Sequence, residues 1–240
     1  MSGVLASVAF LGIIFLLERR RRAPTPGDSA VDRGLENVAI SLISAFLTLV
    51  IATFLYSALS GEDLLAPRAG TLALIAAIAL SVAFLMLTYG VAWLFETWEL
   101  GSPAAVMRVI AALIAPAVTF AFIGIRALDM LALAEGKRAA RSWFGLLLLV
   151  LLLALIGIFF GSGGWLRDQA RARRFRSTTA VRSVAYVALA VGVATVAATG
   201  VVAQLRVSFA LARWDVAAVM SAVAVLYGAY ILLVRAILLD

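Results

Sequence analysis

The residues that carry most enzyme chemistry are missing from this chain. It has no His and no Cys in 240 residues. That excludes disulfides, iron–sulfur clusters and thiolate metal sites. It also excludes haem ligation by His or Cys, zinc on imidazole or thiolate, and Ser-His-Asp or Cys-His catalysis. What remains is carboxylate, Tyr, Ser/Thr, Arg and one lysine, Lys137. Arg126 and Asp129 are the pair whose spacing has most to offer. Three residues apart, they share one face of a helix if helix continues through them. Such a pair can form the polar mouth of a channel; its plainer role is an exposed interfacial ion pair. Glu96 and Glu99, with Tyr89 nearby, are the only carboxylates placed for acid–base work on a lipid, and their spacing argues no paired-carboxylate geometry. Glu96 can instead pair with Arg108 across a short turn.

Pro116 is the other residue with a mechanical consequence. It removes a backbone hydrogen bond, meets the carbonyl of Ala112 and predicts a kink usable as a hinge. Thr119 is placed to bond a freed carbonyl. Gly157 and Gly161 form a GxxxG, and Gly192 and Gly200 belong to a second small-residue face. Both predict close helix packing. Gly161-Ser162-Gly163-Gly164 lacks the Gly-Lys-Ser/Thr and the preceding strand of a phosphate loop. Arg171, Arg173, Arg174 and Arg176 crowd one loop and suit anionic lipid headgroups or an acidic partner surface.

The elements that carry these residues follow from composition. The chain is 65% hydrophobic and 14% charged, with a mean hydropathy of +1.10. A soluble domain averages about 45–50% apolar and about 25% charged. A water-soluble core of this size cannot bury so much apolar surface. The expected fold is therefore all-α: a single polytopic transmembrane helix bundle. A spanning helix needs about 20 apolar residues. Seven spans are expected, near 3–17, 37–59, 69–95, 104–125, 143–165, 183–207 and 216–234. Residues 126–142 read as an amphipathic helix in the membrane interface, with Leu128, Leu131 and Ala132 on one face. No ionisable side chain falls at a span centre, where one would mark function by default.

Orientation follows from charge. The net charge is +7, and its cause is the excess of Arg and Lys on cytoplasmic loops. Residues 18–36 and 166–182 are the strongly basic loops, and four spans between them keep both on one side. With the N-terminus outside and the C-terminus cytoplasmic, 13 basic residues lie inside and 7 outside. Arginines follow the first apolar run and do not precede it, so this run reads as an anchor and not as a cleaved signal. Trp93, Trp98, Trp143, Trp165 and Trp214 fall at span ends, as an aromatic belt requires. Arg in place of Lys and abundant Ala point to a high-GC bacterium, and so to its cytoplasmic (inner) membrane.

Seven spans, an outside N-terminus and the tail Gly228-Ala229-Tyr230-Ile231-Leu232-Leu233 resemble microbial rhodopsins in outline. Retinal needs a Schiff-base Lys in the seventh span, and none is there. The apolar run, Glu18-Arg19-Arg20-Arg21-Arg22 and then an Asn-headed helix resemble membrane fatty-acid hydroxylases, whose His ligands are absent. The order of spans and basic loops also resembles 3+1+3 sugar transporters, without their Pro-Gln turn. No family assignment and no cofactor follows. Three functions are weighed: a non-catalytic membrane-embedded subunit or scaffold, a channel or passive transporter mouthed by Arg126 and Asp129, and a lipid-modifying enzyme. The expected partners are the bilayer and its anionic headgroups, with other membrane subunits or a second copy; nucleic acid is not among them.

Overall fold

A computed structural model describes residues 7, 10–14, 18, 29–63, 65–98, 100–135, 143–161 and 178–238. The described residues contain helices and connecting turns, and no strand. The helices are α1 (Ser29–Leu59), α2 (Pro67–Thr97), α3, α4 (Trp143–Gly161), α5 (Thr178–Ala203) and α6 (Arg213–Leu238). Helix α3 is built from Ser102–Val109, a π-helical turn at Ile110–Ile114 and Ala115–Glu135. All six are long and apolar enough to cross a membrane. The chain is a multi-pass, all-α membrane protein. Of the expected first span, residues 7 and 10–14 are described, and they are helical, as is Glu18 just after it. Phe10 packs on Phe46 of α1 with ring centroids 5.8 Å apart.

Helix α2 is the axis of the bundle. It packs on α1, α3 and α5, while α6 packs on α4 and α3. Its buried surface carries Ala69, Ala76, Ala77, Ala79, Ala83 and Ala92 with Gly70 and Gly90, so neighbouring backbones approach closely. A Cβ on Gly90 would lie 3.0 Å from Leu42 Cδ2 of α1. One on Gly70 would lie 3.1 Å from the Cα of Met130. Apolar helices gain nothing from lipid exclusion, so this close fit supplies the cohesion. Thr48, Thr53, Thr88, Thr97 and Thr119 each return their hydroxyl to the carbonyl four residues earlier. In hydrocarbon that satisfies a donor which has no water to turn to. Ser44 donates instead across to Ala185 O, at 3.3 Å, and ties α1 to α5.

One sequence expectation needs correction here. Residues 126–135 do not form a separate interfacial helix; they continue α3. Leu131 and Met130 are fully buried, and Leu128 and Ala132 pack on the same core. The apolar stripe that suggested an interfacial helix packs on the core of the bundle. Residues 136–142 lie outside the described residues. Trp93 stays within about one turn of the end of α2 at Thr97, as expected, and stands edge-on to Tyr89 at 6.4 Å.

Pro116 sits directly after the π-helical turn. The N–H of Ala115 bonds to Ile110 O, five residues back. The wider turn accommodates a ring that an uninterrupted α-helix would force against the preceding carbonyl. The proline is thus the second residue of a fresh helical segment, where a missing N–H costs little. Thr119 donates to Ala115 O at 2.6 Å, and its oxygen lies 3.3 Å from Pro116 O.

Candidate functional site

The sequence-selected charges do not converge. Arg126 and Asp129 form an ion pair at 3.7 Å, with 41% and 62% of their side chains exposed. Arg126 also lies over the Phe122 ring, 5.5 Å from its centroid. Asp129 thus faces outward from the bundle. An exposed pair of this length contributes between nothing and about 1 kcal/mol. We expect Asp129→Asn to shift the thermal midpoint in detergent by less than about 4 °C, the equivalent of 1 kcal/mol or less for a chain of this size. A larger loss would place Asp129 in a buried network.

Glu96 accepts a hydrogen bond from Arg108 Nε across the turn that joins α2 and α3. Gly101 in that turn has a φ of +59°, a conformation that a Cβ disfavours. Tyr89 is fully buried, and Glu99 lies outside the described residues. Glu96 and Tyr89 therefore share no open site with a second carboxylate among the described residues. Arg171, Arg173, Arg174 and Arg176 also lie outside the described residues.

The glycines divide sharply. A Cβ on Gly192 would lie 3.2 Å from Ile51 of α1. At Gly157, Gly161 and Gly200 it would meet nothing within 4 Å. Among the described residues, those three face no neighbour. Besides Gly192, tight contacts fall at glycines not singled out for packing by sequence: Gly12, Gly70, Gly90 and Gly124, with Gly228 against Ile158. In a helix apolar all round, periodicity does not say which face turns inward.

Two features escaped sequence reading. The first is at the bundle end opposite the basic loops. Arg68 donates to both Glu62 carboxylate oxygens, at 2.7 to 3.1 Å. It donates also to Ala203 O at 3.3 Å and Leu205 O at 2.8 Å, at the end of α5. Its own backbone N–H bonds Val207 O. Both side chains are about one-sixth exposed. One guanidinium thereby joins the α1–α2 connection to the end of α5, and supplies the carbonyls there with the donors they lack. In sequence it looks like an ordinary loop charge beside a proline.

The second is a groove of about 240 Å³ walled by α2, α5 and α6. Helices α5 and α6 are consecutive but barely touch, and the groove runs between them. Its wall includes Val82, Met86, Val187, Ala188, Tyr227 and Tyr230. Tyr227 packs on Phe120 at 6.0 Å, and Tyr230 on Tyr89 at 6.3 Å. Tyr230 sends its hydroxyl to Leu85 O at 3.1 Å. The hydroxyls of Ser81 and Thr119 lie beside that of Tyr227. The Tyr230 hydroxyl is thus bonded within the bundle, and the Tyr227 hydroxyl is buried there. Among the described residues no cluster of three or more Asp and Glu could hold a metal ion.

No protein-family model, no curated protein and no solved structure matches the chain.

Proposed function

We propose that this chain is a non-catalytic membrane-embedded subunit or scaffold of a larger assembly in a bacterial cytoplasmic membrane, with its basic end toward the cytoplasm. The observation that carries this reading is the set of unfilled glycine positions. Gly157 and Gly161 lie on α4, whose apolar window is only 11% buried within the chain. Each glycine costs a helix about 1 kcal/mol relative to Ala, and no neighbour among the described residues requires their smallness. A closely approaching helix from another subunit or a second copy does. The channel reading would predict altered flux on Asp129→Asn. With that side chain on the outer face, we expect flux in liposomes to be unchanged.

The test replaces Gly157 and Gly161 by Leu together. Leu is the better helix former, so the isolated chain should keep its thermal midpoint. Mild extraction of the wild type should bring a stoichiometric membrane partner or a second copy, and the double variant should lose it. A partner retained undiminished by the double variant would overturn the role of α4.

A further inference from the structure

The groove between α5 and α6 has the form of a lipid site. We propose that it holds one acyl chain of an anionic phospholipid from the leaflet at the basic end of the bundle.

Four observations carry this. The first is access: the groove follows the seam where α5 and α6 part, so it opens sideways into hydrocarbon and not into water. The exposed Val187 and Ala229 flank that opening. The second is chemistry. Apart from Ser183 and the two tyrosines, every wall residue is Val, Leu, Met or Ala. A water-soluble ligand would find almost no partner there.

The third is length. The α5 wall runs from Ser183 to Val191, about 12 Å at 1.5 Å per residue. One leaflet of a hydrocarbon core is about 15 Å deep. The groove therefore matches one tail in one leaflet.

The fourth is charge. The groove begins at Ser183, directly after Arg182. Arg182 pairs with Glu36, and both side chains remain about half exposed. Arg235 lies two residues past the wall residue Leu233 on α6, over the Phe159 ring at 4.8 Å. A tail in this groove brings its phosphate to the level of Arg182. There, each Arg near an anionic headgroup contributes about a fivefold preference. A tail gains no hydrophobic energy by leaving bulk lipid, so retention rests on packing against the groove and on this charge.

The test uses the full-length protein purified in mild detergent and incubated with vesicles of equal parts phosphatidylglycerol and phosphatidylcholine. Bound lipid is read by native mass spectrometry. The wild type should retain one phospholipid per chain, with phosphatidylglycerol preferred. Ala229→Phe puts a ring into the groove from an exposed position, so the fold should survive and the bound lipid should be lost. Val187→Phe does the same from the other lip and serves if the first variant melts early. Arg182→Gln should keep the lipid but lower the preference for phosphatidylglycerol about fivefold. Undiminished lipid in a folded Ala229→Phe or Val187→Phe overturns the site. A wild type that retains no phospholipid, or an unrelated apolar molecule in its place, overturns the occupant. An unchanged headgroup preference in Arg182→Gln overturns the part assigned to charge.

Discussion

Replacing Arg68 by Ala should lower the stability of the bundle by about 3 kcal/mol, the lower end of what breaking a buried ion pair costs. The substitution does three things at once. It leaves the Glu62 carboxylate largely buried without its bidentate partner. It removes the donors to Ala203 O and Leu205 O. It also unties the α1–α2 connection from the end of α5. Carbonyls at a helix end lack intrahelical donors, and near hydrocarbon water replaces them poorly. For a chain of this size, 3 kcal/mol is a fall of roughly 6–12 °C in the thermal midpoint. Arg68→Lys should fall between Ala and wild type, because an ammonium keeps the charge but not the planar fork. Adding Glu62→Gln to Arg68→Ala should cost less than the sum of the two, since they act through one pair. A midpoint within 2 °C of wild type for Arg68→Ala would show that the latch contributes nothing.

Gly70→Leu should be the most damaging single substitution in the apolar part of the bundle. A bare Cβ there already lies 3.0 Å from Met130 Cγ, 3.1 Å from its Cα and 3.2 Å from its Cβ. A flexible side-chain tip can move aside, but the Cα belongs to the backbone of α3. The helices must therefore separate. Overpacking of this kind costs typically 1–3 kcal/mol for small additions, and Leu adds four carbons. We expect a loss of about 3 kcal/mol or more, or failure to assemble, with Gly70→Ala near 1 kcal/mol. Gly200→Leu is the matched control, because a Cβ there meets nothing within 4 Å. It should leave the melting transition in place. Equal behaviour of Gly70→Leu and Gly200→Leu would contradict the close crossing of α2 and α3.

The fold was readable because a bilayer restricts backbone geometry so severely. A run of about 20 apolar residues has few options other than a spanning helix. Composition alone therefore located the helices that become α1 to α6, with α3 running further than its expected end. Pro116 announced a disturbance in α3, and the chain answers it with the π-helical turn at Ile110–Ile114. The candidate sites were much less readable. Gly157, Gly161 and Gly200 read as packing positions, and among the described residues the tight contacts use Gly70, Gly90 and Gly124. Lipid and protein interior are equally apolar, so a membrane helix carries little mark of its buried face. Arg68 gave no signal because its partners, Ala203 and Leu205, contribute only backbone oxygens. The groove gave none because it is the space left where α5 and α6 diverge. Arg126 and Asp129 did pair, at the spacing a helix dictates, but on an outer face where the pair does little.

The most direct measurement of the central claim is the mass of the wild-type particle, extracted from its native membrane without harsh detergent and read by native mass spectrometry. The chain alone is 25.4 kDa. A subunit or scaffold predicts a reproducible larger mass that resolves into this chain plus a stoichiometric membrane partner or a second copy. A particle at the mass of one chain with bound lipid alone, across several extraction conditions, would contradict it.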